Sequence, residues 1–251
     1  MRSAQRTVRI FLDSSPSDGQ LALAPEEAHY LATVLRLRAG DAVTAFNGRG
    51  MEWNTRVTGL TRRAGLLEVL ETLSPLAESS LNLTLVQAIV KSEAMDTIVQ
   101  KATELGVSRI LPILTEYCVV RLDAERIDKR LSHWQRIARS ACEQSGRHRA
   151  PEILRPVTLT EYLDDVSSDT LRIMLDPRAV QHPDPLPDSA QNVHVIVGPE
   201  GGFGPRDEAT LEEGNCHRLR MGPRVLRADT AAIAICAFAQ QRWGDLSSPG
   251  A

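Results

Sequence analysis

The chain has 251 residues, 42% of them hydrophobic and 24% charged, which suits one large or two small domains with buried cores. A formal net charge of −3 does not mark a nucleic-acid binder, although a local basic face would still neutralise phosphates. No apolar run approaches the roughly 18 residues that a membrane span needs, which sets aside a membrane-spanning helix.

The N-terminal stretch MRSAQRTVRIFLD lacks the apolar centre of a signal peptide, so a cytoplasmic protein is expected. Over residues 1–75 the pattern is β-rich. Strands are predicted at Val8–Leu12, Ala42–Asn47, Glu52–Leu60 and Leu66–Thr72, separated by RAGD, NGRG and RRAG turns. A short helix is predicted over Pro25–Leu35, since Pro25 suits a first helical position and two glutamates follow it. These elements predict a small barrel, with LSPLAESSLN as the linker. From Asn82 the pattern changes. LTLVQAIV is a continuous apolar run of the kind found in buried parallel strands. Ser92 is placed to cap a helix whose Met95, Ile98, Val99, Ala102 and Leu105 recur at helical spacing, and Gly106 ends it. RILPIL gives the next strand, followed by a long helix from about Ala124 to Gln144. Strands follow at Leu171–Leu175 and Val193–Val197, with the proline-rich loop DPRAVQHPDPLPDSAQ between them. A glycine turn, a helix near Pro205–Glu213, a short strand Arg218–Met221 and a last helix from Asp229 to about Trp243 complete the chain. Strands alternating with helices predict a parallel α/β domain over residues 76–251. Cys118, Cys142, Cys216 and Cys236 form no C-x-x-C pair and are read as small core residues in a reducing compartment, without zinc or disulfides.

The turn IVGPEGGFGPRDEA, Ile196–Ala209, carries the first functional signal. It is no Walker A loop, because no lysine and hydroxyl follow its second glycine. A G-x-G-x-x-G register from Gly198 fails at Glu200, and one from Gly202 fails at Asp207. Dinucleotide folds also place that fingerprint on the first strand. Glu200 would repel a pyrophosphate. A ligand that is cationic at its reacting centre, or an adenosine read by backbone groups, fits better, and S-adenosylmethionine is both. The plain alternative is a tight strand-to-helix turn with no ligand. The second signal is RLRMGPRVLRADTAAIAICAFA, Arg218–Ala239. Asp229 is placed to cap a helix that is apolar on every side and so must be buried in a core or between subunits. Arg224 and Arg227 precede that helix, where cations oppose its macrodipole, so Asp229, Glu200 or a bound phosphate is expected to compensate them.

Taken together, GPEGGF at 198–203, MGPRVLRADTAA at 221–232, IVQKATELGVSRILP at 98–112, WQRIARSACEQSGRHRAPEI at 134–153 and HYLATVLRLRAGD at 29–41 resemble the SPOUT methyltransferases. More narrowly, they resemble the RsmE family, which methylates N3 of a uridine in 16S rRNA with S-adenosylmethionine. The resemblance spans nearly the whole chain. It implies a C-terminal parallel sheet threaded as a deep trefoil knot over about residues 171–243, an N-terminal PUA-like RNA-binding barrel, a homodimer, and a substrate within the small ribosomal subunit. Neither a metal nor a membrane is implied. The cofactor contacts it carries over are Leu175, Gly198, Glu200, Gly202, Met221, Gly222 and Leu226. One departure stands out: the family has threonine and glutamate where this chain has Ala228 and Asp229.

Methyl transfer to a ring nitrogen is an in-line displacement that needs no metal, but N3 must lose its proton. Glu200 or Asp229 is expected to accept it, and Arg224 or Arg227 to stabilise charge on the base oxygens, with Glu200 and Arg227 favoured. RNA capture is expected from Arg9, Arg36 and Arg38 on the barrel, from Lys91 at a strand's C-terminal end, and from Arg147 and Arg149 after the long helix. Three tryptophans, three tyrosines and four phenylalanines make a stacking platform for single strands a poor expectation, and recognition by shape and phosphate contacts a better one. Two rivals remain. A SPOUT enzyme acting on tRNA ribose predicts a hydroxyl-rich loop where this chain has PRVLRAD. A non-catalytic RNA-binding or ribosome-assembly module predicts no cofactor binding.

Overall fold

The computed structural model describes residues 8–74, 77–118, 124–179 and 186–247. Residues 75–76 of the predicted linker and 180–185 of the proline-rich loop lie outside the described residues. Contacts divide the chain into two compact units, one of residues up to Ala77 with Cys142–Ala150, the other of Glu78–Ala141 with Pro151 onward.

The first unit contains β1 (Val8–Phe11), β2 (Gln20–Leu23), α1 (Pro25–His29), β3 (Ala42–Phe46), β4 (Glu52–Leu60) and β5 (Gly65–Leu73). Its strands form one curled sheet in the order β1-β3-β4-β5-β2, parallel between β1 and β3 and antiparallel elsewhere. Among the described residues β1 and β2 do not pair with each other, so the expected barrel is a curled sheet with two edges. Register shifts at Asn54/Thr55 and Val57/Gly59 bend β4 against β5, as bulges do. Ile10, Leu21, Leu31, Trp53, Val57 and Leu67 fill the concave core. Strand β2 escaped prediction because QLAL shows only four residues of alternation. The single helix predicted over Pro25–Leu35 is α1 continued by a wider π turn, Tyr30–Val34, that buries Leu31. Residues 142–150 return to this unit. Phe11 N–H donates to Glu143 Oε1 at 2.9 Å, and Ala150 N–H donates to Gly48 O at 3.2 Å.

The second unit contains β6 (Asn82–Ala88), α2 (Ser92–Glu104), β7 (Arg109–Leu114), most of α3 (Ala124–Ser145), β8 (Glu152–Ile153), β9 (Val157–Thr158), α4 (Leu159–Asp165), β10 (Leu171–Leu175), β11 (Asn192–Val197), α5 (Pro205–Glu213), β12 (His217–Leu219) and α6 (Ala228–Trp243). The sheet is parallel throughout, in the order β12-β10-β11-β6-β7-β8, with β9 also beside β7. Alternate side chains feed opposite layers. Leu83, Leu85, Ile173 and Val195 pack with Met95 and Ile98 of α2 and Ile235 of α6, whereas Val86, Met174 and Ile196 pack with Tyr162 of α4 and Leu211 of α5. Each such side chain contributes about 1.5–3 kcal/mol when fully buried. Gln240 of α6 is wholly buried, and its Nε2 donates to Gly106 O at 3.1 Å, which ties α6 to the end of α2.

Several predicted boundaries shift. Helix α2 starts at Ser92 itself, one residue before the expected start, so Lys91 holds the cap position and makes no side-chain cap bond. Likewise α6 starts at Ala228 with Arg227 at its cap position, so Asp229 lies inside the first turn and is not the cap. There its carboxylate still favours the positive end of the helix. The last strand is His217–Leu219 and not Arg218–Met221, because the chain leaves β10 after Leu219. Helix α4 was missed although Thr158 and Glu161 form a capping box, a T-x-x-E signal present in the sequence.

Candidate active site

Strands β10, β11 and β12 end side by side, and a cavity of about 830 Å³ opens at their C-terminal ends. Ligands of open parallel sheets collect at this edge. Leu175, Val197, Leu219, Met221 and Leu226 give it an apolar wall, and Glu200, Asp229, Arg224, Arg227 and Lys91 give it charge. The volume lies within the range of small-molecule sites.

The glycine turn is built from close approaches. Gly202 N–H donates to Pro199 O at 2.9 Å, and Gly202 holds φ +74°, where a side chain is strained. At Gly204 a Cβ would collide with the Glu116 side chain, so any other residue there would displace Glu116. Asp207 is buried and organises the surroundings: it accepts Gly204 N–H at 3.0 Å and Glu116 N–H at 3.0 Å. One carboxylate thus joins the loop after β7 to the start of α5. Across the cavity, buried Asp176 accepts Arg178 N–H at 2.8 Å and an Arg218 N–H at 3.3 Å. Arg178 also pairs with Glu208, and Arg218 donates to Glu212 at 2.6 Å. This network fixes the wall beyond Leu175, and sequence reasoning missed it. The DPR triplet closing a predicted strand was the available signal.

The cavity brings together Leu175, Gly198, Glu200, Gly202, Met221, Leu226, Arg224, Arg227, Asp229 and Lys91. Gly222, expected there, does not line it; it holds φ +72° in the turn, and its carbonyl accepts Arg220 Nε–H at 3.2 Å. Glu200 Oε1 accepts Lys91 N–H at 3.4 Å, and Asp229 Oδ1 accepts Thr230 N–H at 2.7 Å. The expected compensation of Arg224 and Arg227 by Glu200 or Asp229 is not made. Both arginines are exposed and take part in no ion pair among the described residues. They therefore present uncompensated positive charge to whatever meets the cavity.

The remaining candidates belong to the first unit. Arg36 and Arg38 are exposed, as is Arg149, while Arg147 is half-buried. Arg9 differs from expectation: its guanidinium pairs with Glu52, donates to Arg147 O at 3.1 Å and lies 4.8 Å over the Phe46 ring. Those contacts use the fork that a phosphate would need. Among the described residues, no group of three or more His, Cys, Asp or Glu is positioned to hold a metal ion, and no helix is long and apolar enough to cross a membrane.

Comparison with known proteins bears on the same residues. Residues 77–240 match the RNA methyltransferase domain family, and residues 23–70 match the RNA methyltransferase PUA domain. The chain is 30% identical to the ribosomal RNA small subunit methyltransferase E of Buchnera aphidicola from Schizaphis graminum, over 90% of this chain and 92% of that protein. It is 31% identical to the Rickettsia conorii protein of the same name, over 93% and 94%. Among solved structures, a Legionella pneumophila chain in complex with S-adenosylmethionine superimposes with TM-score 0.91 at 35% identity, covering 96% of this chain and all of that one (100%). The ribosomal RNA small subunit methyltransferase E of Neisseria gonorrhoeae, bound to S-adenosylmethionine, gives TM-score 0.87 at 34% identity, covering 96% and 99%.

Proposed function

The chain belongs to the ribosomal RNA small subunit methyltransferase E family, and from that membership we propose that it methylates N3 of a uridine in 16S rRNA, using S-adenosylmethionine, within the small ribosomal subunit. The observation that carries this reading is the cavity where the glycine turn and the PRVLRAD loop meet. Its residues suit the cofactor. Leu175, Leu219, Met221 and Leu226 offer apolar surface to an adenosine, and the carboxylates of Glu200 and Asp229 suit a sulfonium. When bound, S-adenosylmethionine supplies an electrophilic methyl group on a positively charged sulfur.

The chain's own residues then have two tasks. One is to take the N3 proton, for which Glu200 is the better placed carboxylate: its one hydrogen bond among the described residues is the long contact to Lys91, whereas Asp229 is engaged by its own helix. The other is to stabilise negative charge on the base oxygens, for which Arg227 and Arg224 supply cations at the cavity that no carboxylate among the described residues neutralises. Lys91, Arg36, Arg38, Arg147 and Arg149 are proposed to meet RNA phosphates from their two units, with the curled sheet acting as a PUA-like RNA-binding module in a cytoplasmic enzyme. The trefoil threading of residues 171–243 is likewise proposed, supported by the insertion of β10 between β11 and the later β12.

A homodimer is supported by α6. Its Ala231, Ala232, Ile235, Cys236 and Ala239 are buried in the core, while Ile233, Ala234, Ala237 and Phe238 on the remaining face are only partly covered. A second copy would complete that burial.

Calorimetric titration tests the cofactor site. One S-adenosylmethionine should bind per chain, and Leu226→Trp, which fills the cavity, should lower affinity more than tenfold without lowering the thermal midpoint. Absence of binding heat at two temperatures would instead favour a ribosome-assembly module.

A further inference from the structure

After Leu114 the chain turns through residues 115–118, with Cys118 N–H donating to Thr115 O at 3.0 Å. The turn is fastened on both sides of Tyr117. Glu116 N–H is held by Asp207 at 3.0 Å, the Glu116 carboxylate accepts Arg206 N–H at 3.2 Å, and the Cys118 thiol donates to Ile89 O at 3.1 Å. Tyr117 itself packs against Gly201: a Cβ built there would lie 3.5 Å from the tyrosine Cβ and 3.7 Å from its ring. Gly201 is part of the cavity wall and follows Glu200 directly. Yet Tyr117 is 47% exposed, and its hydroxyl makes no hydrogen bond among the described residues.

An uncovered ring on an anchored backbone offers a flat apolar face at a fixed place beside the cavity wall, which suits stacking on a flat ligand. The neighbouring aromatics do other work. Phe203 is buried against Gly198, and Tyr162 is buried on His194. A uridine whose N3 is to be methylated must leave its own stack and lose that π contact. We propose that Tyr117 replaces the lost contact by stacking on the target pyrimidine, and so sets the plane of the base against the glycine turn. The inference rests on the cavity being the methyl-transfer site. A single ring of this kind is compatible with the expectation, drawn from the scarcity of aromatic residues, that the chain offers no stacking platform for single strands.

Tyr117→Phe, Tyr117→Leu and Tyr117→Ala variants test it, with three measurements on each: single-turnover methylation of small ribosomal subunits, S-adenosylmethionine affinity by calorimetry, and thermal midpoint. Phenylalanine should keep the rate within about twofold, and leucine and alanine should lower it on the order of 10- to 100-fold, the size of one lost aromatic–base stack. Cofactor affinity and thermal midpoint should stay at wild-type values. A leucine variant as fast as wild type overturns the stacking role, and so does one that loses cofactor affinity in parallel, since the ring would then only support the turn. Wild-type protein that transfers no methyl group to rRNA overturns the proposed function as well; an active wild type confines the failure to Tyr117.

Discussion

His194 sits on β11 beside Arg172 of β10, and its Nδ1 shares a 3.0 Å hydrogen bond with the Tyr162 hydroxyl. Burial first, then the charges of Arg109 and Arg172, push its imidazole down to about 4. In the unfolded chain the same group takes up a proton near its ordinary value, about 6.5. Stability is therefore full above that value, falls as pH drops from 6.5 towards 4 because the unfolded state alone binds the proton, and levels off below. Between pH 7.5 and pH 5 the loss is about 2 kcal/mol. Urea unfolding should show that loss in wild type and much less of it in His194→Gln, which keeps an acceptor but does not titrate; equal pH dependence in both would show that His194 is not the source. In the cavity, Glu200→Gln should lower the methylation rate more than Asp229→Asn does, on the order of 100-fold against 10-fold. The reverse order would assign the proton to Asp229.

Between elements, the decisive link is Asp207, a single buried carboxylate that holds Gly204 at the head of α5 and Glu116 beyond β7. Asp207→Ala leaves both N–H groups without that acceptor, which costs about 2 kcal/mol, and it should weaken cofactor binding by loosening the glycine turn. A variant with wild-type stability and affinity would mean that the turn is set by its glycines alone. Much of this layer was legible in the sequence. The apolar runs at 83–90 and 193–197 gave buried parallel strands, and the glycine turn with PRVLRAD marked the residues that line the cavity. What stayed hidden depended on tertiary pairing. QLAL is too short to announce a strand, and nothing local in GRHRA shows that residues 142–150 pack with the first unit. Arg9 read as an RNA contact because Glu52 and Phe46, its partners, lie far away in sequence. The cap assignments failed by one or two residues, since Ser92 and Asp229 suit the first turn as well as the cap.

At the scale of the molecule, the half-covered face of α6 is the ground for the proposed homodimer. Light scattering should give the mass of two chains, and Ala237→Glu together with Phe238→Arg should give one; wild-type protein that is monomeric at micromolar concentration would remove the dimer from the account. The proposed knot, dimer and RNA contacts all serve one claim, that a uridine ring nitrogen is the methyl acceptor. Its most direct test is nucleoside mass spectrometry. Small subunits that lack the modification would be incubated with the protein and labelled S-adenosylmethionine, and their 16S rRNA digested. The account predicts label in 3-methyluridine at a single position; label in a 2′-O-methylated ribose, or none in any rRNA nucleoside, would contradict it.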